Sequence, residues 1–143
     1  METYGVDHII LTVSDAERSR KFYAEVLGFS VTVMKEGAGG SFYFMAGPAW
    51  VFVVASRKPV EGDRFSEDRI GLDHLAFGAP SREALDAFAQ KLLDAGVATN
   101  GVERYHATGN YYVAFRDPDN IQLEVLAAEA GGRSVSCLAW RAA

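Results

Sequence analysis

The chain has 143 residues, of which 49% are hydrophobic and 23% charged, and this composition suits one globular domain with a sizeable apolar core. Its formal net charge of −5, without a run of Lys or Arg, argues against a nucleic-acid or anionic-membrane partner. The apolar runs are too short to span a bilayer, and the N-terminus has no signal-peptide pattern, so we expect a cytoplasmic protein.

The first predicted module covers residues 4–55. A β-rich run over 6–13 precedes a helix that ends at Gly28, and Ser14 and Glu17 have the spacing of a capping box. Three shorter strands are predicted after the helix, at residues 29–35, 41–45 and 50–55.

Residues 56–70 contain Pro and Gly among mixed charges, and we interpret them as a linker. The second predicted module, 71–127, begins with a strand over 72–78 and a helix that Ser81 caps. Three further strands are predicted at 102–105, 111–116 and 121–127, and residues 128–143 form a tail without a helix or strand pattern.

The two modules are related by a repeat. GLDHLAF at 71–77 nearly repeats GVDHIIL at 5–11, with Gly, Asp and His at the same places, and the two copies put His8 and His74 66 residues apart. We therefore predict an α+β fold in which two βαβββ modules form a concave mixed β-sheet with the helices on its outer face. The concave side of such a sheet is a natural place for a pocket.

Alternation along the strands predicts a metal site on that concave side. Bulky apolar residues share the face that the helices cover, so His8, His74 and Glu124 fall on the opposite face. A carboxylate at the centre of a strand is costly to bury without a partner, and two histidines with one carboxylate suit Fe(II) or Mn(II). Zn, Ni and Co are alternative ions. Asp7 and Asp73 fall on the other face, where we interpret them as hydrogen-bonding residues.

The repeat also indicates where a fourth ligand would be found. Matching Phe44 to Phe115 gives an offset of 71, which makes Val53 the counterpart of Glu124. Valine cannot bind a metal ion. On this register the protein supplies three ligands and leaves open positions for water or substrate.

The stretch GVDHIILTVSDAERSRKFYAEVLGF, followed late in the chain by FRDPDNIQLEV, resembles the vicinal oxygen chelate superfamily. This superfamily includes glyoxalase I, extradiol dioxygenases, fosfomycin-resistance thiol transferases and bleomycin-resistance proteins. The resemblance covers roughly residues 4–127 and implies a paired βαβββ fold with a metal ion between the modules. His8, His74 and Glu124 match the superfamily's ligand positions.

Three departures from the family pattern are informative. Glyoxalase I has its fourth ligand at the position of Val53, so the resemblance disfavours that reaction here. The three-ligand dioxygenases and fosfomycin-resistance enzymes have a tyrosine where this chain has Ala114, and Tyr112 is the nearest tyrosine on that strand face. Asn120 replaces the glycine of the usual DPDG turn and tolerates the left-handed conformation such a turn needs.

Two residues are candidates for proton transfer at this site. We interpret His106 as a proton shuttle or as a solvated loop residue, and Tyr112 as a hydrogen-bond donor to substrate or as part of the pocket wall. Arg116 either holds an anionic group or pairs with the neighbouring DPD carboxylates. The predicted pocket suits an apolar or aromatic substrate with a diol, enol or keto-acid group, and its lining residues are Ile10, Thr12, Val51, Val53, Ala76, Ala114, Arg116 and Gln122.

The sequence therefore favours a divalent-metal-dependent vicinal oxygen chelate enzyme, glyoxalase- or dioxygenase-like, acting as a dioxygenase or as a lyase or isomerase. Its substrate is a small molecule that chelates the metal ion through adjacent oxygens. The alternative is a metal-free protein that sequesters a small molecule such as an antibiotic, and the third hypothesis is a fosfomycin-type thiol transferase. The resemblance also implies a homodimer.

Overall fold

The computed structural model describes residues 8–37, 40–46, 50–55, 58 and 60–128. The chain divides into two compact units. The first unit comprises Met1–Phe65 with Asp117–Asn120, and the second comprises Ser66–Arg116 with Ile121–Ala143. Asp7 and the predicted tail beyond residue 128, with Cys137, lie outside the described residues.

The first unit contains one helix and a four-stranded mixed sheet. Its elements are β1 (Ile9–Val13), α1 (Ala16–Glu25), β2 (Ser30–Gly37), β3 (Gly40–Ala46) and β4 (Trp50–Ala55). The strand order is β1-β4-β3-β2, with β1 parallel to β4 and the other pairs antiparallel. The predicted apolar face of the first strand is confirmed, because Leu11 and Val13 are buried while Ile10 is 51% exposed.

The second unit has the same element order and sheet order. Its elements are β5 (Leu75–Gly78), α2 (Arg82–Asp94), β6 (Glu103–Arg104), β7 (Tyr111–Arg116) and β8 (Gln122–Ala127). The strand order is β5-β8-β7-β6, and β5 is parallel to β8. Helix α2 packs on one face of this sheet, where the rings of Phe88 and Phe115 lie 5.4 Å apart. The predicted α+β class is confirmed, while a common concavity formed by the two modules stays a prediction.

The helix caps differ from the prediction in one case. Ser81 caps α2 as expected, since its hydroxyl accepts the backbone N–H of Ala84. The capping box at Ser14 was wrong, because Asp15 is the N-cap of α1 and accepts the N–H groups of Glu17 and Arg18. Ser14 instead bonds to a residue 105 positions along the chain.

That distant partner belongs to the turn between β7 and β8. Asp119 accepts hydrogen bonds from the backbone and hydroxyl of Ser14, and it pairs with Arg18 at 3.0 Å. Asp117, also buried, accepts from the hydroxyl of Tyr23 at 3.3 Å. Burial and the two carboxylates raise the pKa of Tyr23 well above its ordinary value, so the phenol stays protonated. Asn120 adopts φ 70°, which confirms the left-handed conformation expected at this turn.

No helix among the described stretches of the chain is long and apolar enough to cross a membrane.

Candidate functional site

Two of the three predicted ligands lie together in the second unit. The Nε2 atom of His74 is 3.5 Å from Oε2 of Glu124. Two donor atoms bound to one divalent ion at ordinary bond lengths lie about 3.0–3.4 Å apart, so this spacing fits a shared ion after a small adjustment. Their side chains are 36% and 17% exposed, which leaves the pair accessible to a ligand.

A second carboxylate orients the histidine ring. Nδ1 of His74 is 2.5 Å from Oδ1 of Asp73, and the two form a hydrogen bond. Histidines that bind metal ions commonly donate their other ring N–H to a carboxylate, which fixes the tautomer and leaves Nε2 as the donor atom to the ion. Asp73 is thus a hydrogen-bonding residue, as predicted, but the sequence did not indicate that its partner is His74.

The β5–β8 register explains why these side chains meet. Ala76 pairs with Glu124 and Leu75 with Leu123, so Glu124 shares a face with the residue two positions after His74. On the other face, Leu75, Leu123 and Val125 are buried. The alternation predicted for this unit is therefore confirmed, and Ala76, Gln122 and Glu124 lie on the less buried face.

His8, the third predicted ligand, belongs to the first unit and directly precedes β1. It is exposed, as are Ile10 and Thr12 on the same side of the strand. Within residues 8–37, 40–46, 50–55, 58 and 60–128, no cluster of three or more His, Cys, Asp or Glu side chains is arranged to hold a metal ion. A site that includes His8 accordingly stays a prediction.

The assignment of Val53 to the pocket was wrong. Val53 is fully buried and pairs with Leu11, so it belongs to the apolar core of the first unit. The residue that pairs with Ile10, as Glu124 pairs with Ala76, is Phe52. Phenylalanine also cannot bind a metal ion, so the first module still supplies no carboxylate at this position. Val51 pairs with Ile9, and its side chain lies outside the described residues.

Arg116 lies at a small cavity and is paired with an unpredicted residue. Both terminal nitrogens of Arg116 donate to the carboxylate of Glu67, one of them to Oε2 at 2.9 Å. Sequence reasoning had not predicted Glu67 as a partner of Arg116. The adjoining cavity has a volume of about 310 Å³, within the range of small-ligand sites. It is lined by Ala98, Thr99, Asn100, Ala114, Phe115, Arg116 and Gln122.

Tyr112 also has an acidic partner. Its hydroxyl donates to Oε2 of Glu103 at 2.5 Å, and Glu103 pairs with Tyr112 between β6 and β7. This hydrogen bond, with a smaller effect of desolvation, raises the pKa of Tyr112. His106, the other candidate for proton transfer, is exposed in the turn between β6 and β7. Sequence reasoning missed Glu103, because a strand of two residues gives too short a pattern to reveal its register.

Comparisons with known proteins agree with this architecture. The family model of the Glyoxalase/Bleomycin resistance protein/Dioxygenase superfamily matches residues 5–125. The chain is 33% identical over 122 residues to the metallothiol transferase FosB of Shouchella clausii, covering 85% of this chain and 78% of that protein. It is 30% identical over 105 residues to the catechol-2,3-dioxygenase of Bacillus subtilis, covering 68% of this chain and 34% of that protein.

Among solved structures, a glyoxylase/bleomycin resistance protein/dioxygenase domain from Frankia sp. EAN1pec superposes with a TM-score of 0.80 at 32% identity. The alignment covers 94% of this chain and 96% of that domain. Because the family model extends over most of the chain, the resemblance found in the sequence is confirmed. The chain belongs to the Glyoxalase/Bleomycin resistance protein/Dioxygenase superfamily.

Proposed function

We propose that the protein is a divalent-metal-dependent enzyme that acts on a small substrate with two adjacent oxygens. His74 and Glu124 would hold the ion together with His8, and Fe(II) or Mn(II) suits this donor set best. The main support is the 3.5 Å approach of His74 Nε2 to Glu124, with Asp73 bonded to the other ring nitrogen. An ion bound there supplies a Lewis acid that polarises the substrate oxygens.

The surrounding residues support binding of a partly apolar substrate. Ala76 and Ala114 flank Glu124 on neighbouring strands and offer small side chains, which leave room for a ring. The protonated hydroxyl of Tyr112 donates its proton to Glu103, and this hydrogen bond raises the pKa of Tyr112, so the phenol oxygen is left to accept a hydrogen bond from a substrate hydroxyl. These features favour a diol or enol substrate and a dioxygenase, lyase or isomerase reaction.

Metal content tests the proposal directly. We expect protein purified without chelators and supplied with Fe(II) or Mn(II) to bind close to one ion per site. The His74→Ala and Glu124→Ala variants should lose most of the bound metal, because their affinity for the ion should fall by roughly 10–100-fold or more. The exposed His106→Ala is the matched control and should retain the wild-type content. Equal and near-zero metal in wild type and His74→Ala would contradict the proposal.

Asp73 gives a graded version of the same test. Asp73→Asn keeps the side-chain size but removes the charge next to Nδ1, so metal affinity should fall by roughly tenfold while the fold is retained. Isothermal titration with Mn(II) measures this change. An affinity equal to that of wild type would mean that the negative charge of Asp73 does not contribute to metal binding by His74, since Oδ1 of an asparagine can still accept the Nδ1–H hydrogen bond.

A second candidate, thiol transfer, is favoured by the 33% identity to a protein named metallothiol transferase. Such a reaction on an anionic substrate requires a cationic set, and in the second unit Arg116 is already neutralised by Glu67. We therefore rank it below the diol or enol reaction. Fosfomycin resistance of cells expressing the chain, compared with cells expressing Glu124→Ala, decides between them.

We also propose that the protein is a cytoplasmic homodimer, as the family resemblance implies. Sedimentation equilibrium at several protein concentrations would measure the mass, and a monomer throughout would contradict this.

A further inference from the structure

The pair formed by Tyr112 and Glu103 is arranged for proton transfer away from the candidate site. Tyr112 lies on β7 on the same face as Ala114, which pairs with Glu124, so Tyr112 and Glu124 are diagonal neighbours whose Cα atoms lie about 7–8 Å apart. A substrate with one ring, bound next to Glu124, therefore lies beside the position of Tyr112. Glu103 lies one strand further out, on the short edge strand β6.

The direction of the hydrogen bond determines what Tyr112 can do. A carboxylate only accepts, so the phenolic proton points to Glu103, and the lone pairs of the phenol oxygen are left to accept a second hydrogen bond. A substrate hydroxyl is the matching donor. The hydroxyl of Tyr112 thus connects a substrate O–H to a partly exposed carboxylate at the sheet edge.

We propose that Glu103 is the positioning residue that receives, through Tyr112, the proton that a chelating diol or enol loses on binding. This inference rests on the proposed function. In the transfer, the substrate O–H bond breaks and its proton joins the Tyr112 oxygen. The original Tyr112 O–H bond breaks and its proton joins Oε2 of Glu103. The substrate becomes the anion, Glu103 becomes the acid, and Tyr112 is unchanged.

The charges around Tyr112 support this direction of transfer. The hydrogen bond to Glu103 contributes most to the raised pKa of Tyr112, desolvation comes next, and electrostatic interactions with Glu103, Glu124 and Tyr105 add to it. A tyrosinate that persists is therefore disfavoured, and Tyr112 acts by passing a proton on. The acceptor must then be Glu103, since its carboxylate holds the hydrogen bond.

The experiment uses Mn(II)-loaded protein and 4-nitrocatechol, a diol whose visible absorption changes when it ionises. The pH midpoint for ionisation of the bound diol is measured for wild type, Glu103→Gln, Tyr112→Phe and the double variant. We expect each single variant to raise the midpoint by about one unit, so that roughly tenfold less anion is bound below it. The double variant should raise the midpoint no further than either single variant does. Glu103→Asp should recover part of the effect, and the exposed Glu61→Gln should match wild type.

A second readout needs no diol or metal ion. Ultraviolet titration of the metal-free protein follows tyrosine ionisation, and Tyr112→Phe identifies the contribution of this phenol. Glu103→Gln should lower the pKa of Tyr112 towards its ordinary value. The relay is overturned if metal and diol bind but Glu103→Gln changes neither the ionisation midpoint of the bound diol nor the pKa of Tyr112. It is also overturned if the effects of Glu103→Gln and Tyr112→Phe on the diol midpoint simply add in the double variant. If the loaded protein binds no diol while the ultraviolet shift is seen, the proposed function fails and the relay loses its substrate.

Discussion

Arg116 and Glu67 neutralise each other beside the cavity of the second unit. The two side chains are 38% and 30% exposed, and each nitrogen of the guanidinium fork donates to the carboxylate. The hydrogen bonds from Arg116 lower the pKa of Glu67 to about 2, and Glu67 raises the pKa of Arg116 in return. An anionic substrate would have to displace Glu67 from Arg116. This competition favours substrates with neutral or chelating groups at this end of the site.

The Glu67 pKa predicts a change in stability at low pH. Because the folded-state pKa is lowered from an unfolded value of about 4.3, the contribution of the pair is complete above that value and is lost as pH falls towards 2. Glu67→Gln should therefore be less stable than wild type at pH 6, and the difference should shrink by pH 2.5. Urea unfolding at the two pH values measures this, and Glu61→Gln is the control. A difference independent of pH would show that the ion pair has no such effect.

At the scale of elements, the N-cap of α2 depends on one hydroxyl. Ser81 accepts the N–H of Ala84, and its side chain also bonds Glu83, which lowers the pKa of that carboxyl. Ser81→Ala should reduce the free energy of unfolding by about 1 kcal/mol, because a first-turn N–H loses its partner. Ser81→Thr, which retains the hydroxyl, should recover most of the loss in thermal or urea unfolding. Equal losses in both variants would point to packing rather than capping.

Elements with clear alternation were predictable from the sequence, and the exceptions have physical reasons. The faces of β1, β5 and β8 follow from apolar residues at every second position. WVFVV is apolar throughout, so β4 gives no sign of its buried face, and a register error of one residue moved Val53 from the core to the pocket. The partners of Tyr112 and Arg116 depend on a two-residue strand and a loop, and neither has a periodic pattern.

At the scale of the whole molecule, each compact unit is built from two segments of the chain that are not consecutive. Asp117–Asn120 connects two strands of the second unit but belongs to the first, where it accepts hydrogen bonds from Ser14, Arg18 and Tyr23. The internal repeat suggests two halves that fold independently. The turn argues against this, because a fragment without it leaves the buried phenol of Tyr23 without its acceptor.

We therefore expect a fragment of residues 1–70 not to fold as the first unit does in the whole chain. Losing the acceptor of a buried donor costs about 1–3 kcal/mol, and the ion pair of Arg18 with Asp119 is lost as well. Circular dichroism during heating should show a cooperative transition for the full chain and none for the fragment. A cooperative transition of the fragment would show that the turn is dispensable.

The hairpin of β7 and β8 has a consequence for how this architecture acquires new activities. Its buried residues and its candidate site residues occupy opposite faces of the same two strands. Mutations at the alternate positions can change ligand preference without disturbing the apolar interior, so selection can act on chemistry and on folding almost separately. A library that keeps the proposed ligand Glu124 and randomises Tyr112, Ala114, Arg116 and Gln122 should yield mostly folded variants with altered preferences.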